Sequence, residues 1–355
     1  MMTHNLAGCI EGVISGRRVI DSSVARPLRF RYDTSAWSDQ RIHRKIFRDL
    51  DGNIGATQRR PWYAPPGGFT IDRFDMDNGD IAFFIRGPNR VFWLGNTETP
   101  RALWQTDKMG FDAVPRPLHR WATRELTAQL HDETPWLASF PAVSRFFLPV
   151  FLSKDGRDSS RQFFNDHAAG FPDASRDDAL SHLEAVLNTG VFDDDREIMA
   201  GKLGTSKGVD FTRMTAAMGE FNIAKLLVDA GYALEPEAPV TTGHSIDFRV
   251  NAGAGSTLVE VTRPLPPQRR SASSPVRAIK DTASVKSNGQ LAQHGGGVLL
   301  VVDCSSFRRS EWQMLLEQQP AVGHRPAAVV RYVPGEPPAG YTIGSMPIDL
   351  QLQPG

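Results

Sequence analysis

The sequence predicts an α/β protein, and three of its features indicate this class. Alternating apolar and polar residues, typical of strands, give way more than once along the chain to apolar residues at helical spacing. Residues 298–302 are apolar at every position, which is typical of a strand covered on both faces. A length of 355 residues suggests two cores, so we expect an α+β N-terminal domain over residues 1–205 and an α/β domain over residues 206–355.

Composition excludes several classes of protein. The 40 basic residues balance the 40 acidic ones, so a nucleic acid or an anionic membrane could be held only by a local patch. Two cysteines, Cys9 and Cys304, are too few for a disulfide framework and favour a reducing compartment. We find neither a signal-peptide core at the start nor an apolar run long enough to span a bilayer. The sequence therefore predicts a cytoplasmic protein that does not enter a membrane.

The elements of the N-terminal part follow from local patterns. Residues 35–50 are predicted to form a helix capped by Ser35 or Ser38, and residues 69–94 three strands of a β-meander separated by two turns. From residue 117 to about 204 the spacing becomes helical. The clearest helix in this stretch follows Ser175 as its N-cap.

The pattern changes after residue 206. A helical stripe of apolar residues ends at Gly231, and strand-like segments follow at residues 244–250, 256–262 and 298–302. Residues 275–294, between the last two segments, have helical spacing. A further helix at 310–319 and a strand at 327–333 complete the predicted domain.

Two acidic residues stand out in the predicted hairpin of the C-terminal part. If the glycine-rich loop closes so that Val250 pairs with Thr257, then Asp247 lies directly opposite Glu260. Their Cβ atoms would be about 5 Å apart. Two carboxylates so close repel each other unless a positive charge lies beside them.

The sequence offers two sources of that charge. A hard divalent ion such as Mg²⁺ or Mn²⁺ takes carboxylate oxygens, keeps several waters and can bind a substrate phosphate through its remaining positions. Alternatively, Arg249 lies diagonally across from Glu260 and could pair with it in an ordinary surface ion pair. The hairpin alone leaves both explanations open.

The helix after the hairpin favours the functional explanation. Lys286 and Gln290 continue the three-then-four spacing of the apolar residues that must face the sheet. A buried lysine without a partner is costly. A lysine on this inner face is therefore understandable if the face borders an anionic site. The alternative is that the helix ends before Asn288 and Gly289, which are poor helix formers, and leaves Lys286 in solvent.

The segment between Arg263 and Lys286 is strongly basic. It contains six cations and one acid, namely Arg263, Arg269, Arg270, Arg277, Lys280, Lys286 and Asp281. Phosphate neutralisation by such side chains dominates nucleic-acid affinity, so this basic segment is a candidate contact for DNA. A solvated loop and helix start would have the same composition.

The order helix, hairpin with Asp247 and Glu260, helix and buried strand resembles the PD-(D/E)XK nuclease superfamily. The resemblance covers about residues 209–333 and implies a restriction-endonuclease-like αβββαβ domain with a mixed sheet flanked by helices. It also implies Mg²⁺-dependent hydrolysis of phosphodiester bonds, with Asp247 and Glu260 as metal ligands and Glu220 on the first helix as a further ligand. Thr262 stands where the family has a lysine, so Lys286 would take over that role beside Gln290.

The N-terminal half, with the motif Arg26-Pro27-Leu28-Arg29-Phe30 and the motif Trp37-Ser38-Asp39, resembles an uncharacterised family of haloarchaeal proteins. This likeness implies no function.

Two alternatives to a nuclease stay open. One is a catalytically inactive nuclease-like domain that binds nucleic acid or protein, as the missing motif lysine would allow. The other is a structural protein in which Arg249 pairs with Glu260 and Lys286 is exposed.

Overall fold

The computed structural model describes residues 29–97, 99–110, 113–154, 156–204, 208–240, 245–253, 255–267, 274–289, 291–294 and 297–354. The strands are β1 Arg29–Asp33, β2 Ala56–Arg59, β3 Thr70–Met76, β4 Ile81–Arg86, β5 Val91–Gly95, β6 Asp107–Met109, β7 Ala233–Pro239, β8 Ser245–Ala252, β9 Gly255–Thr262, β10 Val298–Asp303, β11 Ala327–Arg331, β12 Ala339–Ile343 and β13 Gln353–Pro354. The α-helices are α1 Asp39–Ile42, α2 Arg48–Ile54, α3 Arg116–Glu133, α4 Pro141–Phe146, α5 Leu148–Phe151, α6 Arg157–His167, α7 Arg176–Leu187, α8 Arg196–Lys202, α9 Phe211–Asp229, α10 Pro275–Asn288 and α11 Arg309–Gln318. The predicted α/β class is confirmed.

The N-terminal part contains an antiparallel sheet in the order β2-β3-β4-β5-β1-β6. Strands β3, β4 and β5 form the predicted meander, because each pairs with the next along the chain. A π-helical turn, His43–Phe47, joins α1 to α2, and the Ser38 hydroxyl accepts a hydrogen bond from the Arg41 N–H at the start of α1. The predicted helix is therefore present, with the second of its two candidate caps.

One buried carboxylate anchors the proline-rich loop that follows β2. Glu125 on α3 is fully buried and accepts hydrogen bonds from the backbone N–H groups of Trp62 at 2.8 Å and Tyr63 at 3.1 Å. The guanidinium of Arg73, on β3, donates to the same carboxylate at 3.0 Å. Loop, helix and sheet are thus joined by charge-assisted hydrogen bonds.

The helical stretch after residue 117 is also as predicted. Helix α7 begins with a capping box, in which the Ser175 hydroxyl accepts from the Asp178 N–H and the Asp178 carboxylate accepts from the Ser175 N–H. Such reciprocal bonds satisfy N–H groups that the first helical turn leaves unpaired. The phenylalanine side chains of this stretch form a large part of the hydrophobic core against which its helices pack.

The C-terminal part contains a mixed sheet in the order β13-β12-β11-β10-β9-β8-β7. Strands β7, β8 and β9 are antiparallel neighbours, whereas β10 pairs in parallel with both β9 and β11. The helix, two strands, helix and strand predicted from the residues are present as α9, β8, β9, α10 and β10. Helices cover both faces, since Leu299 and Val301 of β10 join the hydrophobic cluster that includes α9, while its other apolar residues join the cluster that includes α10.

The strand β7 departs from the sequence prediction, which placed no strand directly after α9. Its sequence, Ala-Leu-Glu-Pro-Glu-Ala-Pro, has two prolines and no regular apolar alternation. It nevertheless pairs with β8 over its whole length at the edge of the sheet. An edge position tolerates proline because the missing N–H would face solvent.

The main hydrophobic core crosses the predicted domain boundary. One cluster of buried residues contains side chains from the first sheet, from helices α3 to α9 and from the second sheet. At its centre, the ring of Phe221 on α9 lies 4.9 Å from that of Phe192 and 6.0 Å from that of Phe146. The boundary itself, at residues 205–206, lies outside the described residues. Across the ranges given above, no helix is both long and apolar enough to cross a membrane.

Candidate metal centre

The hairpin of β8 and β9 closes in the predicted register. Val250 pairs with Thr257, and the ladder continues to Phe248 and Val259. Asp247 is the next residue of β8, and its carboxylate Oδ2 accepts a hydrogen bond from the Val261 backbone N–H at 2.7 Å. The aspartate is thus held by the backbone of the strand that carries Glu260.

Glu260 is buried, with 1% of its surface exposed, although glutamate is rarely buried without a partner. The Nζ of Lys286 donates a hydrogen bond to its Oε1 at 2.5 Å. Its other oxygen, Oε2, is buried and has no hydrogen-bond partner within the described part of the chain. A buried carboxylate oxygen left in this way is costly and is a position where a cation would be favourable.

Helix α10 ends at Asn288, before the predicted end at residue 294, and a short 3₁₀ turn follows at Leu291–His294. Lys286 still points to the sheet, because it lies within the last turn of α10 and extends to Glu260. Its side chain is 31% exposed. The alternative that left Lys286 in solvent is therefore wrong, although the helix does end early.

Arg249 does not pair with Glu260. Its guanidinium donates instead to Glu235 of β7 at 2.6 Å, in a partly exposed ion pair. The ordinary surface ion pair predicted as the alternative to a metal therefore exists, but with a different glutamate.

A group of three carboxylates adjoins the hairpin. Glu220 on α9, Glu237 on β7 and Asp247 on β8 each offer an oxygen, and these oxygens lie within 4.8 Å of one another. Lys202, the last residue of α8, donates hydrogen bonds from Nζ to both Glu220 and Glu237. We refer to Glu220, Glu237, Asp247 and Glu260 as the carboxylate cluster.

The carboxylate cluster carries more negative charge than its lysines compensate. Four ionised carboxylates against the ammonium groups of Lys202 and Lys286 leave two negative charges. Burial, and then the charge of Asp247, raise the pKa of Glu220 to about 8. Burial, and then the charge of Glu260, raise the pKa of Asp247 to about 7. In the absence of another cation, protons therefore occupy part of the cluster near neutral pH.

The pKa values of the two lysines are raised as well, and for a lysine this favours the charged form. Burial alone would lower the pKa of Lys202, but the carboxylates of Glu220 and Glu237 outweigh burial and raise it. Glu260 likewise outweighs burial at Lys286 and raises its pKa. Burial also raises the pKa of Glu260, although Lys286 opposes this effect. Both lysines thus remain charged at neutral pH.

The structure brings together most of the residues that the sequence singled out. Asp247, Glu260, Lys286 and Glu220 all belong to one connected group of side chains. Gln290 lies outside the described residues.

Sequence reasoning missed Glu237 and Lys202. In the register of β7 and β8, Glu237 lies opposite Asp247, between the pair Pro236–Phe248 and the pair Ala238–Ile246. Once β7 is recognised as a strand, that register places a third carboxylate in the row. Lys202 comes from a helix of the N-terminal part, and no local pattern links it to the hairpin.

Arg263 requires a correction, because the basic segment was predicted to contact nucleic acid through this residue among others. Its side chain is fully buried and donates to Ser306 at 2.9 Å and to the Gly170 carbonyl at 2.7 Å, with Asp303 at 3.6 Å. It cannot reach a nucleic acid. Of the other cations in the segment, Arg277 and Lys280 are exposed on α10, while residues 268–273 lie outside the described residues.

Thr262 occupies the position of the lysine in the nuclease motif. It is buried at the end of β9 and pairs with Val302 of the neighbouring strand β10. Two lysines contact the carboxylate cluster from other elements: Lys286 extends from α10 and Lys202 from α8.

Comparison with known proteins gives a family but no activity. Neither the curated proteins nor the solved structures contain a significant match to the chain. One family model matches residues 25–350, which is most of the sequence and includes the carboxylate cluster and every strand of both sheets except β13. The chain therefore belongs to DUF5784, a family of unknown function.

Proposed function

We propose that this protein is a Mg²⁺-dependent nuclease that hydrolyses phosphodiester bonds, with DNA as the substrate. The observation that carries the proposal is the buried, unpaired Oε2 of Glu260 beside three carboxylates whose oxygens lie within 4.8 Å of one another. A divalent cation would satisfy that oxygen and compensate the two remaining negative charges.

Each residue of the cluster has a proposed role in this reaction. Asp247 and Glu260 bind the cation and Glu220 is a further ligand, while the Val261 N–H holds the Asp247 carboxylate in place. When bound, the ion would polarise the phosphate and lower the pKa of an attacking water. Lys286 positions the nucleophile or stabilises charge at the reacting phosphate. Positioning the nucleophile is the role that the motif lysine has in the superfamily that the chain resembles.

The exposed cations Arg277 and Lys280 on α10 are the proposed contacts to the DNA backbone, together with the neighbouring residues Arg269 and Arg270. All four residues follow β9 in sequence, and Arg277 and Lys280 belong to the same helix as Lys286. Phosphate contacts from such side chains would position the strand without reading its sequence.

A specific observation favours a second candidate, a catalytically inactive nuclease-like module that binds nucleic acid or protein. Thr262 stands in place of the motif lysine, and both lysines of the cluster are already paired with carboxylates. In this case the cluster would be a structural remnant that binds an ion without cleaving a substrate.

Cleavage assays with labelled single- and double-stranded DNA and RNA, in Mg²⁺ or Mn²⁺ and over a range of salt, test the proposal. We expect cleavage by the parent protein and its loss in Asp247→Asn, Glu260→Gln and Lys286→Met. Glu235→Gln is the matched control, because this carboxylate is on β7 but pairs with Arg249, which is not part of the carboxylate cluster. Intact substrate under every condition, together with metal binding by the parent protein, would favour the inactive module.

A further inference from the structure

Glu237 adopts an unusual backbone conformation within a strand. Its φ is +51°, in the left-handed region that only glycine and a few small polar residues enter readily. The register nevertheless continues on both sides of it, with Pro236 opposite Phe248 and Ala238 opposite Ile246. Such strain persists only where surrounding contacts impose it. At this position the contacts are the bond from the Ser245 hydroxyl at 2.8 Å and the bond from Lys202.

Lys202 occupies the space between two carboxylates on different elements. Its Nζ donates to Glu220 of the central helix α9 and to Glu237 of the edge strand β7, and its charge also acts on Asp247. It therefore contacts or influences the same three carboxylates whose oxygens converge within 4.8 Å.

The spacing of those oxygens suits a metal ion. Oxygens opposed across Mg²⁺ are roughly 4 Å apart, since each lies about 2.1 Å from the ion. Neighbouring ligand oxygens are roughly 3 Å apart, so each of the three carboxylate oxygens, which lie within 4.8 Å of one another, would need to move by about 1 Å. An ion bound to Glu220 and Glu237 would compete with the Lys202 ammonium, because that ammonium donates to both carboxylates and the two positive charges would repel each other.

We propose that Glu220, Glu237 and Asp247 bind the divalent ion directly, and that the ion takes the place of the Lys202 ammonium. This inference rests on the proposed function, and adds Glu237 as a ligand and Lys202 as a competing cation. The buried, unpaired Oε2 of Glu260 independently indicates that the cluster lacks a cation even while Lys202 is in place. The exchange needs no backbone rearrangement, because Lys202 is at the end of α8 with a partly exposed, flexible side chain.

The inference is tested by titrating the full-length protein with Mn²⁺ alone and measuring binding by calorimetry. A solution of about pH 9 avoids competition from protons on Glu220 and Asp247. We expect Lys202→Met to tighten Mn²⁺ binding about tenfold or more, since the ion no longer displaces an ammonium. The matched control is Lys225→Met, because Lys225 pairs with Asp229 on the exposed part of α9.

A second pair of variants examines the ligand. We expect Glu237→Gln to weaken Mn²⁺ binding about tenfold or more, because a neutral amide replaces a charged ligand, whereas Glu235→Gln on the same strand leaves it unchanged. Lys202→Gln provides a second neutral variant should Lys202→Met fail to fold. Thermal unfolding with and without Mn²⁺ reports folding and binding together.

The outcomes separate this inference from the proposed function. Unchanged or weaker Mn²⁺ binding in both neutral variants of Lys202 would overturn the exchange, and unchanged binding in Glu237→Gln would overturn its role as a ligand, while cleavage by the parent protein could still stand. Tighter binding without Lys202 in a protein that cleaves nothing would support the exchange and refute the nuclease. Absence of Mn²⁺ binding in every variant would refute both.

Discussion

The carboxylate cluster makes a specific prediction about stability in metal-free solution. The pKa values of Asp247 and Glu220 are raised to about 7 and about 8 in the folded protein, so the folded state holds more protons than the unfolded chain above about pH 4. Stability therefore falls as the pH rises from about 4 to about 8, and stays low above that range. The raised pKa values of Lys202 and Lys286 do not contribute in this window, because both lysines are charged in either state throughout it.

Asp247→Asn should remove part of that loss. A rise in the Asp247 pKa from 3.8 to about 7 corresponds to roughly 4 kcal/mol between the acidic and alkaline limits. Glu220 and Glu260 carry part of the same repulsion, so the single substitution should recover about 1–3 kcal/mol above about pH 8. For a chain of this length that corresponds to a melting temperature roughly 1–4 °C higher.

Urea titrations in the presence of a chelator, at intervals from about pH 5 to about pH 9, would measure the free energy of unfolding of both proteins. The two curves should lie close together at low pH and diverge as the pH rises. Excess Mn²⁺ should raise the stability of the parent protein alone, because a ligand that binds only the folded state shifts the equilibrium toward it. Parallel curves, or an Asn variant that is less stable at high pH, would refute the reasoning.

Three further predictions concern single side chains. Lys286→Met should lower cleavage about 100-fold or more while Mn²⁺ binding persists, and cleavage at the parent rate would exclude its proposed role. Arg263→Ala should lower the free energy of unfolding by about 3–5 kcal/mol, because the buried carboxylate of Asp303 loses the positive charge of Arg263. Arg249→Ala, which breaks a surface pair, should cost less than about 1 kcal/mol, and equal effects in urea titrations would contradict this comparison. Glu125→Ala should cost about 3 kcal/mol or more in the same titrations, because it leaves two backbone N–H groups of the proline-rich loop and Arg73 without their acceptor, and a loss under about 1 kcal/mol would count against that anchor.

The sequence was sufficient to predict those parts of the site that depend on local periodicity. The closure of the glycine-rich loop, together with the alternation in β8 and β9, predicted their register, and the spacing along α10 predicted that Lys286 points toward the sheet. Both rest on short-range geometry, because the side-chain period of two in strands and of 3.6 in helices is fixed by the backbone.

The rest of the site depends on contacts that no local pattern records. Glu237 was missed because the prolines of β7 obscure the strand, and its positive φ is imposed by its surroundings. Lys202 reaches the cluster from α8, a helix that is far in sequence from the hairpin of β8 and β9. Arg263 was predicted at the surface because a loop of basic residues follows it, yet its charge is matched inside the protein by Asp303. A count of charges along the chain does not distinguish a surface patch from an internal ion pair.

The hydrogen bond from Arg263 to the Gly170 carbonyl connects the N-terminal and C-terminal parts of the chain. Arg263 follows β9 directly, three residues after Glu260, and its other end is fastened to a turn between α6 and α7. A shift of β9 would disturb that turn and the aromatic packing around it. The residues before 205 therefore restrain the strand that carries Glu260, in addition to supplying Lys202.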